Sequence, residues 1–152
     1  MKDQIKALAD KHFDNIVNIR KYLHANPELS FKEYETSKYI QKFLTDNNIE
    51  FQAGFVETGI VAHIKGKNPD KKIIALRTDI DALPIKETNN VDYKSTNEGV
   101  MHACGHDVHM SSVLGVCKIL NELKDQFEGT IKVVFQPGEE VLPGGASLML
   151  KE

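Results

Sequence analysis

Residues 129–140 read GTIKVVFQPGEE, and the reading of this stretch decides the fold. Its centre, Val133-Val134-Phe135, is apolar at successive positions, so an extended chain here is apolar on both faces. A strand of that kind belongs in the interior of a sheet, covered on both sides. Immediately after it come Gln136-Pro137 and then the polar run Gly138-Glu139-Glu140.

Working upstream, residues 107–127 carry Val113, Val116, Cys117, Leu120, Leu123 and Phe127 at helical spacing. Before that, residues 86–99 are polar and irregular. Three short segments precede them: IEFQAGF (49–55), GIVAHIKG (59–66) and KKIIALRT (71–78). They are rich in β-branched residues and bounded by turn signals, so they read as strands. In the middle one, Ile60, Ala62 and Ile64 share one face while Val61, His63 and Lys65 take the other. The loop GKNPDK (66–71) suits a hairpin between the second and third strands.

Two helices open the chain. Residues 3–25 place Ile5, Leu8, Ala9, Phe13, Ile16, Val17, Ile19 and Leu23 along a stripe. Pro27 ends that helix by restricting Asn26 to extended geometry. A second helix spans about 32–47, with Tyr34, Tyr39, Ile40, Phe43 and Leu44 on its buried side. The tail, GGASLMLKE (144–152), begins a further helix and stops, which predicts a truncated chain. Helices interleaved with strands predict an α/β fold, layered helices around a mixed, partly parallel sheet.

The bulk composition is that of an ordinary globular chain: 152 residues, 41% hydrophobic, 27% charged and a formal net charge of −3. That charge predicts no nucleic acid and no membrane among its partners. No apolar run reaches the length of a bilayer span. The N-terminus lacks the apolar block of a secretion signal. Two cysteines do not make a disulfide framework, which predicts a reducing compartment, the cytoplasm.

Chemistry collects in three clusters. RTDIDALP (77–84) follows the third strand, and Asp79 and Asp81 project from one face if the strand continues through them. MHACGHDVH (101–109) opens the long helix, and QPGEE (136–140) follows the interior strand. In open α/β sheets, sites lie beyond the carboxyl ends of strands. Cys104 and His106 flank Gly105, whose freedom at positive φ lets both side chains converge. Thiolate, imidazole and carboxylate are the donors of a borderline-soft divalent cation, zinc above all. Glu139 and Glu140 offer one ligand and one base. Any one cluster alone reads as a packed pair, a solvated strand end or a charged helix start; their coincidence points to metal. His12 and His63 read as solvent-facing and Cys117 as core, and His24 is left open between the site and a helix cap.

Four motifs carry a resemblance: RKYLHANPELSFKE (20–33), ALRTDIDALPI (75–85), GVMHACGHDVHMSSVLGVCKIL (99–120) and GTIKVVFQPGEEVLPGGASLML (129–150). In this order they resemble the N-terminal half of the N-acyl-amino-acid amidohydrolases, an aminoacylase-like metallopeptidase family. The resemblance implies a zinc-peptidase-like catalytic domain, of which residues 1–152 form an incomplete N-terminal portion. It implies that Cys104, His106 and Glu140 are metal ligands. Glu139 matches the general base, and Asp81 the aspartate that orients a ligand or the base; a role for Asp79 is less clearly implied. The implied cofactor is a divalent metal, one or two ions, zinc or manganese first and cobalt or nickel next. The implied substrates are N-acyl amino acids or short peptides. Full-length relatives add further metal-binding histidines and a lid domain, through which they form homodimers; neither lies within this chain.

Two rival readings stand beside this one. Cys104 could be a nucleophile activated by His102 or His106, with Asp79 or Asp81 as orienter. Alternatively, the chain could be a truncated metal-binding piece without catalysis.

Overall fold

The computed structural model describes residues 1–152. In chain order it contains α1 (Lys2–Ala25), α2 (Tyr34–Asp46), β1 (Glu50–Phe55), β2 (Gly59–Lys65), β3 (Ile73–Asp79), α3 (His106–Glu122), β4 (Thr130–Gln136) and α4 (Gly145–Met149). A short 3₁₀ turn at Lys124–Gln126 follows α3, which therefore ends earlier than the apolar stripe predicts. The four strands form one mixed sheet in the order β1-β2-β4-β3. β1 with β2 and β2 with β4 are antiparallel, while β3 and β4 run parallel.

The order corrects one expectation. No hairpin joins β2 to β3, because β4 lies between them. The GKNPDK loop instead passes the start of β4: Gly66 donates to the Gly129 carbonyl, and Thr130 donates to that of Lys72. The cause is the apolar centre of β4, which needs a hydrogen-bonded neighbour on each edge as well as cover on its faces. Six polar residues can cross beneath a strand as readily as they can reverse. β3, α3 and β4 then form a strand-helix-strand unit, the connection that parallel strands require.

One face of the sheet carries the core. Ile60, Ala62 and Ile64 of β2, with Val133 and Phe135 of β4, meet Met110, Val113, Leu114 and Cys117 of α3. Ile19 and Leu23 of α1 and Ile40 and Leu44 of α2 complete the cluster. α1 lies along α3, where Gly115 lets the Ile16 side chain approach closely. The opposite face is less covered: Val61 and Val134 are half-buried beside Met149 of α4.

Helical phase differs from the sequence reading in places. Phe13 is 63% exposed and Tyr34 48% exposed, although each lies on the apolar stripe of its helix. His12 occupies the inward position instead of Phe13, buried and hydrogen-bonded to Glu122 at 2.7 Å. His63 is half-buried rather than solvent-facing, because β4 covers its edge. Cys117 is fully buried, as its place on the stripe predicts. No helix is long and apolar enough to cross a membrane.

Candidate metal centre

Parallel pairing of β3 and β4 brings their carboxyl ends side by side, with Asp79 opposite Gln136. The pairing outlasts the strands by one step, because the Ile80 N–H donates to the Gln136 carbonyl at 3.0 Å. DIDALP and PGEE therefore leave the sheet together. The third cluster reaches the same place through α3, whose first residue is His106. Gly105 caps this helix in the left-handed region, with φ 98°. That conformation turns the chain between Cys104 and His106.

The ligand atoms of Cys104, His106 and Glu140 all lie within 4.8 Å of one another. His106 is 4% exposed. Its Nδ1 faces the Asp81 carbonyl oxygen at 2.9 Å and the Asp81 Oδ1 at 3.2 Å. A carbonyl oxygen can only accept, so Nδ1 carries a hydrogen, and Nε2 is the nitrogen that can offer a lone pair to a metal once its own proton is lost. Nε2 points to Glu140 Oε1 at 3.8 Å and to Glu139 Oε2 at 3.9 Å. A carboxylate behind one ring nitrogen, with the other nitrogen free, is the usual support of a metal-bound histidine.

Asp81 is completely buried. Besides facing His106, its Oδ2 accepts the Ser30 hydroxyl at 2.6 Å and the Glu140 backbone N–H at 3.0 Å. Burial alone raises its pKa, yet these donors together hold the carboxyl below its ordinary value. The charge returns the effect: the hydrogen bond that His106 donates to Asp81 pushes His106 up to about 9, against the opposing effect of burial.

The remaining residues sort themselves by environment. Cys104 is exposed, and the Glu140 carboxylate beside it, followed by burial and the other nearby acids, raises the thiol pKa. Glu139 is exposed at the rim. β3 ends at Asp79, so Asp79 and Asp81 do not share a strand face; Asp79 turns to Arg77 and stays outside the donor group. His102 is buried with neither ring nitrogen partnered, and burial takes its pKa down to about 4. It makes no hydrogen bond to Cys104.

Sequence reasoning missed a second layer. His24 Nδ1 meets Asp107 Oδ2 at 2.7 Å, and Nε2 meets Glu87 Oε1 at 3.1 Å. Arg20 Nε reaches the same Asp107 oxygen at 3.0 Å. Glu87 also accepts the Ser95 N–H at 2.7 Å. This network ties α1 and the irregular stretch before Cys104 to the first turn of α3. The acid in that first helical turn was a visible signal; its partners, far away in sequence, were not.

The donors present fit a divalent cation. They are one thiol, one imidazole whose Nε2 faces the other two, and one carboxylate whose Oε1 is buried without a hydrogen-bond partner. A buried carboxylate oxygen without a hydrogen-bond partner is costly unless something positive lies beside it.

The chain is similar to known proteins along nearly its whole length. An N-acetylcysteine deacetylase of Bacillus subtilis is 43% identical over 144 residues, 93% of this chain and 38% of the relative. The crystal structure of a methicillin-resistant Staphylococcus aureus protein matches with a TM-score of 0.95 and 42% identity, covering 99% of this chain and 39% of the other. The Bacillus subtilis YXEP protein, described as a dinuclear metal binding peptidase from the M20 family, matches with a TM-score of 0.86 and 42% identity over 96% of this chain and 39% of its own. The chain thus spans about 38% of the length of the curated relatives it matches first. Its sheet and helices are those of part of an M20 peptidase fold. The family model for Peptidase family M20/M25/M40 matches residues 75–152, the half that holds every donor described above, and the chain belongs to that family.

Proposed function

We propose that this chain carries part of the metal centre of a hydrolase that cleaves the amide bond of N-acyl amino acids or short peptides. The observation that carries the reading is the convergence of Cys104, His106 and Glu140, with a buried Glu140 oxygen left unpartnered. These side chains would hold a divalent cation, zinc or manganese first, with room in the family for a second ion. When bound, the cation supplies Lewis acidity, polarising the amide carbonyl and acidifying water.

The chain's own residues do the rest. Glu139, exposed at the rim and 3.9 Å from His106 Nε2, takes a proton from the attacking water and delivers it to the leaving nitrogen. Oxygen adds to the carbonyl carbon, the carbon–nitrogen bond breaks, and a carboxylate and a free amine result. Asp81 keeps His106 in the tautomer that leaves Nε2 free. Beside Glu140 opens a cavity of about 390 Å³, lined by Leu29, Ala82, Leu83, Pro84 and Val141 with Ser30 and Lys32 among them, which offers room for a small acyl group. The deacetylase relative acts, by its name, on an N-acylated amino acid, which supports this substrate class.

The surroundings of Cys104 weigh against a nucleophilic thiol. Activated cysteines sit in electropositive settings that lower their pKa. Here Glu140, Glu139 and Asp79 raise it, which suits a thiol awaiting a cation.

The coverage of the relatives supports reading residues 1–152 as one portion of a longer catalytic domain; the family resemblance implies dimerisation through a lid outside these residues. The two unpaired cysteines support a cytoplasmic location. Isothermal titration with Zn²⁺ tests the central reading: the unsubstituted chain binds, and His106→Ala abolishes binding. Equal binding by both chains contradicts it.

A further inference from the structure

Glu139 and Glu140 leave the backbone between β4 and α4, where the chain has no regular secondary structure. Glu140 meets Cys104 and His106 only if this turn keeps its place. Something in the fold must hold this turn. The Glu140 N–H is held by Asp81, as described above. The Gly138 N–H donates to Glu33 Oε1 at 2.8 Å.

Glu33 is fully buried, an unusual place for a carboxylate. Its Oε1 also accepts the Phe31 N–H at 2.9 Å, and its Oε2 accepts the Thr58 hydroxyl at 2.7 Å. The Phe31 ring closes the other side of the same turn: a methyl group on Gly138 would fall 2.3 Å from a ring carbon. Gly138 itself has φ 57°, so both space and backbone conformation suit glycine.

We propose that Glu33 is a positioning residue of the metal centre, fixing the Gly138–Glu140 turn so that the Glu140 carboxylate meets Cys104 and His106. The proposal rests on the metal-site reading above. Its bonds to Phe31 and Thr58 serve the local fold; the bond to Gly138 alone reaches the site. The two roles separate by substitution. Glu33→Gln keeps a carbonyl oxygen for the N–H groups of Phe31 and Gly138, and its amide can donate to the Thr58 hydroxyl. Glu33→Met fills the space and offers no acceptor.

The test is a Co²⁺ titration of the whole chain, followed by absorbance, with far-UV circular dichroism as a check on folding. Glu33→Gln retains the affinity of the unsubstituted chain, whereas Glu33→Met binds at least about tenfold more weakly, the scale of lost ligand support. If Glu33→Met loses the native spectrum, Glu33→Asp decides, since it keeps the charge and draws the acceptor back by one methylene from the Gly138 N–H. It too should lose about tenfold. Unchanged affinity in a folded Glu33→Met chain, or in Glu33→Asp where that variant decides, overturns the proposal and leaves the metal site standing. A loss shared equally by Glu33→Gln also overturns it. If the unsubstituted chain binds no Co²⁺, the metal-site reading falls and takes this proposal with it.

Discussion

Asp81 does several things with one carboxylate. It fixes the imidazole of His106, receives the backbone of Glu140 and takes the Ser30 hydroxyl, all without contact with water. Asp81→Asn keeps the shape and removes the charge, and should weaken metal binding about ten- to a hundredfold, as calorimetry would read it. Proton competition gives a second prediction. A thiol and an imidazole bind metal only after losing their protons. Asp81 holds His106 up at about 9, and Glu140 with the neighbouring acids raises Cys104, so both are protonated at neutral pH. Metal binding therefore releases a proton from each, and affinity rises with pH towards 9 and falls below neutrality. Calorimetry in buffers of different ionisation enthalpy measures the release; a value near zero contradicts it. At this scale, Cys104, His106, Glu139 and Glu140 stood out in the sequence because short spacings concentrate rare donors. His24 with Asp107, and Glu33 with Gly138, did not, because nothing local marks a partner 83 or 105 residues away.

The elements act through their ends. β3 and β4 deliver acids from adjacent carboxyl termini, and α3 delivers His106 from its first turn. Gly105 makes that delivery possible with a left-handed backbone and open space around it, so its cost on substitution is purely conformational. Gly105→Ala should lose about 1–2 kcal/mol of stability, with a lower melting temperature and weaker metal binding. Asp107 anchors the same turn to α1. Asp107→Ala leaves Arg20 and His24 facing a vacated carboxylate, and urea denaturation should show a loss of about 3–5 kcal/mol. A loss near zero for either variant would contradict the geometry. The strands were legible in sequence because β-branched runs and alternation mark them. Their order was not: a six-residue polar loop fits a hairpin locally, and only the need of β4 for two neighbours excludes it. Phe13 and His12 show the same limit, since a helical stripe fixes period better than phase.

Across the whole molecule, the site is open. Cys104 and Glu139 are exposed, and no segment of these residues closes over them. An amide hydrolase works best when water is excluded around the reacting bond. Given Zn²⁺, Mn²⁺ or Co²⁺, this chain should hydrolyse hippurate slowly; rapid turnover would show that these residues suffice. The sheet's less covered face and the exposed Ile73 and Ile74 on edge strand β3 also fit a chain that spans about 38% of its relatives. The central claim is that Cys104 joins His106 and Glu140 around a single cation. Co²⁺ absorbance tests it most directly, because a thiolate ligand adds a charge-transfer band in the near ultraviolet. Cys117, buried in the core with its thiol pushed up to about 12, serves as an internal control. The account predicts that the band forms in the unsubstituted chain and vanishes in Cys104→Ser. A band that persists in Cys104→Ser, or never forms at all, would contradict it.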